Sequence, residues 1–245
     1  MRITTRWLVL VASLTPFCSF APAQVATRSE TISLNSIVEA IEIMQAKVRS
    51  QAAYQVIRQY RLFGANDSKA DSDVVAEVGF TPPANKKYRI RKSSGSSRGQ
   101  QVVRRVLDHE VEATSSANHG KAAINRDNYD FKYIGEASVD GQPCYLLGVK
   151  PKRKEKDLIL GQAWVDKHSF LVRQIEGEVA ATPSWWLKKV HVKLVFADFE
   201  GSWVQTHMEA VADVRIVGPQ KLTSRILEYR RLDEVASTST RMRSR

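Results

Sequence analysis

Residues 190–217 read VHVKLVFADFEGSWVQTHMEAVADVRIV. In the first half the even positions Val190, Val192, Leu194 and Phe196 are apolar, against His191 and Lys193. After Glu200-Gly201-Ser202, the even positions Val204, Met208, Ala210, Ala212, Val214 and Ile216 are apolar or small. They face Gln205, His207, Glu209, Asp213 and Arg215 on the other side. A period of two means extended backbone with one dry and one wet face. Two such runs about a short turn form an antiparallel hairpin, Val190–Phe199 with Trp203–Val217.

The pattern repeats upstream and downstream. Tyr129–Ser138 and Gln142–Lys150 join at Asp140-Gly141, a strong hairpin turn signal. Leu158–Asp166 and His168–Val179 form another pair, and Leu222–Arg231 is a last strand. Nearer the N-terminus, Tyr54–Phe63 alternates, with Arg58 the exception on its apolar side. Val74–Phe80 and Lys87–Arg91 flank the turn Thr81-Pro82-Pro83-Ala84-Asn85. Two segments carry helical spacing instead. Leu34–Arg49 repeats Leu34, Ile37, Val38, Ile41 and Met44, with Ser33 as N-cap. Gln101–Val111 places Val102, Val103, Val106 and Leu107 on one face, after a serine-glycine loop from Ser93 to Gly99. Thr114–Ala123 is polar and small and receives no assignment.

A long antiparallel meander with one greasy face needs a cover, and only two helices are available. The expected fold is therefore α+β: a curved antiparallel sheet, an open half-barrel, wrapped around about two covering helices. The chain of 245 residues, 43% hydrophobic and 26% charged, is large enough for one such domain.

The first 23 residues read as a secretory signal. Arg2 and Arg6 form a charged region, Trp7–Leu14 a short apolar core broken by Pro16, and Ala21-Pro22-Ala23 a small-residue cleavage site before Gln24. The expected domain spans 24–235, followed by a small, polar and basic tail over 236–245 that is expected to be disordered. Thr15-Pro16-Phe17 before Cys18 does not resemble a lipobox, so Cys18 leaves with the signal. Cys144 remains as a lone thiol, which excludes an internal disulfide and a cysteine-based metal site and reads as core. The formal charge of +11 becomes +9 once Arg2 and Arg6 are removed. In an exported protein that basic balance points to anionic membrane or acidic partners rather than nucleic acid.

Chemistry-bearing motifs are sparse. Gly95-Ser96-Ser97-Arg98-Gly99 matches the G-x-S-x-G elbow, but the chain lacks the parallel βαβ pattern that an elbow needs, so a hydrolase using Ser97 is a remote alternative. His109, His119, His168, His191 and His207 show no metal-ligand spacing; His191 and His207 share wet faces of one hairpin. No catalytic residue, metal or cofactor is assigned. The run Pro151–Lys156 is a charged hairpin loop or a contact for lipid headgroups or an acidic partner. Trp185 and Trp186, followed by Lys188 and Lys189, form a second candidate: a plug for one end of the sheet, or a contact with membrane or partner.

Asn128-Tyr129-Asp130-Phe131, Asp140–Tyr145, Val149-Lys150-Pro151-Lys152, Gly161–Asp166 and Val214–Gly218 together resemble the outer-membrane lipoprotein-sorting-like proteins of the LolA/LolB superfamily, best between Asn128 and Tyr229. The resemblance implies an open β-barrel with a helical lid, an apolar cavity for lipid or lipoprotein acyl chains and a periplasmic location. It implies two roles, a carrier or a regulatory sensor that binds an envelope protein. The inward-facing residues Leu147, Val192, Leu194, Phe196, Met208 and Val214, with Val103 and Leu107 from the lid, are the candidate cavity lining.

Overall fold

A computed structural model describes residues 32–48, 52–65, 69–115, 120–182 and 184–232. The signal sequence and the 236–245 tail lie outside the described residues. Among the described residues ten strands and two α-helices follow one another: α1 (Leu34–Val48), β1 (Tyr54–Phe63), β2 (Ser72–Thr81), β3 (Asn85–Gly95), α2 (Ser97–Thr114), β4 (Tyr129–Val139), β5 (Gln142–Pro151), β6 (Ile159–Asp166), β7 (Val172–Val179), β8 (Leu187–Phe199), β9 (Ser202–Val214) and β10 (Gly218–Arg231). All ten strands pair antiparallel in one sheet, ordered β3-β2-β1-β10-β9-β8-β7-β6-β5-β4. The outer strands β3 and β4 do not pair with each other, so the sheet is an open half-barrel, as the alternating pattern and the two helices led one to expect.

Turn chemistry sets the register. Asp140 and Gly141 both adopt positive φ, 50° and 78°, as a two-residue primed turn requires, and Ala137 faces Cys144 beyond them. Glu200 and Gly201 do the same at φ 52° and 83°, which pairs Phe199 with Ser202. On β6 and β7, Gly161 faces Gly177. A Cβ on Gly177 would stand 2.2 Å from the Leu160 carbonyl oxygen, so the two strands approach more closely there than any other residue permits.

The cover is divided. Ile37 and Ile41 of α1 are fully buried against Tyr129, Leu147, Leu158, Ala163 and Val165, which belong to the β4–β7 half of the sheet. Val103 and Leu107 of α2 are buried against Val56, Tyr60, Val74, Val204 and Leu222, which belong to the other half. Burying each such aliphatic side chain contributes about 1.5–3 kcal/mol, so each helix is held by its own core. Ser33 caps α1 by accepting the Ser36 N–H at 3.1 Å, and Ser96 caps α2 by accepting the Gly99 N–H at 3.0 Å.

Several element bounds differ from expectation. Residues Ser93–Gly95 belong to β3 rather than to a loop, because they complete the ladder opposite Ser72–Val74; α2 then starts at Ser97, four residues early. His168–Leu171 is a turn, not the start of β7: the Asp166 carboxylate collects the His168 and Ser169 N–H groups and folds the chain back. β9 ends at Val214, so Ile216 does not continue its apolar face but lies in a turn before Gly218, whose φ is 77°. His191 and His207 do not face each other; they pair with Val211 and Val195, and His191 approaches Glu176 at 3.3 Å. Among the described residues no helix is long and apolar enough to cross a membrane.

Candidate functional site

β8 lies in the middle of the sheet, yet none of its residues is fully buried. The divided cover explains this. α1 packs over β4–β7 and α2 over the opposite half, and β8 runs beneath the seam between them. Leu194 packs against both cores, which places it at their meeting point. Over the seam the protein has a cavity of about 410 Å³. Its floor is Ile175, Leu194 and Phe196, and its walls include Tyr129, Ile159 and Trp203. Val48 and Ala113, near the C-terminal ends of the two helices, and Ala123 and Ile124 of the crossover to β4 form the roof. The volume falls within the roughly 300–1,000 Å³ of small-molecule sites, and the lining is mostly apolar.

Polar groups hold the roof in place. Gln45 Nε2 donates to the Ile124 carbonyl at 2.9 Å, and Arg126 donates to Glu42 at 2.8 Å, so α1 is fastened to the crossover. Buried Asn128 donates to the Gly120 and Ala123 carbonyls at 2.8 and 2.7 Å, which curls the crossover under the roof. From α2, His109 Nε2 lies 2.7 Å from Asp157 Oδ1, and Lys156 lies 3.8 Å from Glu112. These two contacts bridge α2 to the β5–β6 loop, across the seam. On the wall, the Tyr129 hydroxyl accepts the Ile159 N–H at 3.1 Å, and burial pushes its pKa up.

At the β6–β7 and β8–β9 turns the cavity adjoins a second one of about 710 Å³, lined by both charged and apolar residues, and the two share Val48, Leu171 and Trp203 as walls. Lys47, Arg173, Arg231, Asp166, Asp198 and Glu200 are among its lining residues. Burial would push the Asp166 carboxyl up, but the Ser169 N–H, the Arg173 guanidinium at 2.5 Å and the Ser169 hydroxyl outweigh it and hold the carboxyl below its usual range. Arg173 in turn lies over the Trp203 ring, whose Nε1 donates to the Val172 carbonyl at 3.1 Å. The arrangement is amphiphilic: an apolar chamber under the helices, beside a mouth whose lining carries charged residues.

Of the residues expected to line a cavity, Leu194 and Phe196 do so, and Val192 packs against the core beside them. Leu147, Val103 and Leu107 are fully buried inside the two cores, and Met208 and Val214 are buried on β9, so none of these five lines the chamber. Tyr129, Ile159, Ile175 and Trp203 were not singled out from sequence. The alternation of β6 and β7 marks Ile159 and Ile175 as inward-facing, but not as uncovered. Trp185 is 79% exposed while Trp186 is half-buried, and neither is among the residues that line the cavity. Cys144 is buried on β5, and burial pushes its thiol pKa up. In the G-x-S-x-G stretch, Gly95 turns at φ 90° against Asp71, Ser96 caps α2 and donates to Asp71 Oδ2 at 2.5 Å, and Ser97 is an exposed first-turn residue. Among the described residues no group of three or more His, Cys, Asp or Glu side chains is placed to hold a metal. In the 151–156 run, Lys152 and Arg153 donate to the Arg126 and Lys121 carbonyls at 2.6 and 3.0 Å and so fasten the loop to the crossover.

Fold and site define an open antiparallel half-barrel lidded by two helices over an apolar chamber. Among solved structures it is similar to a DUF1329 family protein from Desulfovibrio piger, at 16% identity over 81% of this chain and 92% of that one, with a TM-score of 0.41. It is also similar to a domain assigned as an outer membrane lipoprotein-sorting protein from Vibrio parahaemolyticus, at 12% identity over 80% and 92%, with a TM-score of 0.42. A LolA superfamily protein from Nitrosomonas europaea matches at 14% identity over 81% and 93%, with a TM-score of 0.37. The superfamily named for the third is the one that the sequence motifs resemble. No family model and no curated protein matches the chain.

Proposed function

We propose that this is an exported, periplasmic binding protein that takes the acyl chain of a lipid or lipoprotein into the chamber beneath α1 and α2, in lipoprotein sorting or envelope lipid handling. One observation carries the reading. An interior strand, β8, presents Leu194 and Phe196 to a chamber of about 410 Å³ instead of to a helix, and a cavity lined by charged residues adjoins that chamber at Val48, Leu171 and Trp203. An amphiphile fits this order: its chain takes apolar contact from Ile159, Ile175, Leu194 and Phe196, and its polar end stays among charged and hydrated groups. Binding of this kind needs no cofactor and no covalent intermediate.

Native mass spectrometry of protein purified from an envelope fraction without strong detergent tests it. The expected spectrum contains a species heavier by one lipid or lipopeptide. Ala123→Trp, which puts an indole into the chamber from its roof, is expected to lower uptake of a fluorescent fatty acid by tenfold or more, about 1.4 kcal/mol, with the fold retained. An unliganded mass that persists after incubation with envelope lipids, or unchanged uptake by the variant, overturns the proposal.

A further inference from the structure

The end of the sheet opposite the charged mouth carries an unrelated feature. Because the sheet is a meander, three connections follow one another there: β5–β6 at 152–158, β7–β8 with its described residues 180–182 and 184–186, and β9–β10 at 215–217. The second exposes Trp185 at 79%, and the third exposes Ile216 at 83% and Val217 at 47%. The two are tied together. The Arg215 N–H donates to the Trp186 carbonyl at 2.9 Å, and Arg215 Nε donates to the Trp185 carbonyl at 2.8 Å. The sequence separates Trp185 from Ile216 by 31 positions; the fold joins them in one tip. Across 150–157, 184–189 and 213–217 there are eight lysines and arginines against three acids. Lys188 lies 3.6 Å from Asp213 and Lys189 lies 3.2 Å from Glu178, and both pairs are about half-exposed or more, where screening leaves the cations free to exchange partners.

We propose that this end of the protein docks on an anionic lipid bilayer. An indole held out on a fixed turn beside lysines suits the headgroup region, Ile216 and Val217 reach the acyl boundary, and the basic turns meet anionic headgroups. A protein partner is the poorer fit: stable interfaces take about 20–30 residues a side, and the exposed apolar surface here is three side chains on two narrow turns. A second copy placed across a two-fold axis would set eight cations against eight. The proposal does not depend on the chamber being a ligand site.

Flotation with vesicles tests it. The protein is expected to float with vesicles of phosphatidylglycerol and phosphatidylethanolamine, to lose that binding at high salt, and not to float with phosphatidylcholine alone. The double variant Trp185→Ser/Ile216→Ser is expected to bind at least about tenfold more weakly, since both side chains act only at the lipid boundary. Its uptake of a fluorescent fatty acid is expected to match the parent, which separates loss of docking from loss of the chamber. Failure of the parent to float, equal flotation with phosphatidylcholine, or undiminished flotation of the double variant overturns the proposal. So does a dimer in sedimentation that the double variant converts to monomer, because the tip is then a self-interface.

Discussion

Asp166 shows how much one side chain organises at the charged mouth. It is 3% exposed and accepts four hydrogen bonds, from the His168 and Ser169 N–H groups, the Ser169 hydroxyl and Arg173. With its folded pKa held below the usual value of about 3.9, its contribution to stability is complete above that pH and is lost as the pH falls through the lower folded value. Asp166→Asn is expected to cost about 1.5–3 kcal/mol at neutral pH, the range for hydrogen bonds to a charged group. The deficit should shrink towards zero as the pH drops below about 4. Urea denaturation of both proteins across that pH range checks it; a deficit independent of pH would contradict the role given to the ionised carboxylate. The sequence discloses little of this. His168 extends an alternating run and reads as strand, and only the carboxylate two residues before it, reaching back to two N–H groups, makes it a turn.

At the scale of elements, α2 is held by more than its apolar face. Glu110 reaches down to Arg58 of β1 at 3.4 Å and Lys86 of β3 at 3.6 Å, and accepts the Tyr60 hydroxyl at 3.1 Å. Burial pushes the Lys86 ammonium pKa down against the pull of Glu110. Arg58 looks out of place in the alternation of β1, yet it faces inward with Val56 and Tyr60 and is 4% exposed, paired by the helix above it and donating to the Gln205 carbonyl at 2.6 Å. Glu110→Gln leaves two cations under the helix without a counter-charge. It is expected to destabilise by about 3 kcal/mol, read from the shift in denaturant midpoint. A loss below about 0.5 kcal/mol, the size of a surface substitution, would mean that apolar packing alone holds α2. The helices and hairpins were legible because period, caps and Asp-Gly or Glu-Gly turns are local. Residues Ser93–Gly95 were not, because a serine-rich stretch becomes strand only through the ladder that Ser72–Val74 offers it.

The open half-barrel as a whole was foreseeable: a one-sided meander and two amphipathic helices leave few alternatives. The chamber's position was not, because alternation tells which side chains point inward and says nothing of which of them a helix will cover. Leu147 and Leu194 read alike along the chain, yet one is sealed beneath α1 and the other floors the chamber. The bridge from α2 to the β5–β6 loop, where His109 meets Asp157, stands at the chamber's edge, since Asp157 is among its lining residues. His109→Ala removes one of the two contacts of that bridge, at a half-exposed site, so the expected loss of stability is within about 1 kcal/mol. Release of a bound fluorescent fatty acid, followed by stopped flow, is expected to be several-fold faster. An unchanged release rate would place the opening elsewhere.

Of the nine strand pairings, eight join neighbours along the chain; the ninth joins β1 to β10, from Tyr54 with Arg231 to Phe63 with Lys221. A polypeptide that emerges N-terminus first therefore completes β1, β2 and β3 long before their partner strand exists. Until then, Val56, Tyr60 and Leu62 lack β10 beside them and the β9 side chains of their shared core. β1, β2 and β3 can join the rest of the sheet only when the final strand takes its place between β1 and β9. Hairpin formation is local and fast, whereas this joining waits on the longest loop in the protein. In the interval the early strands present an unpaired edge and a bare apolar face, the state in which such a chain has most need of a chaperone.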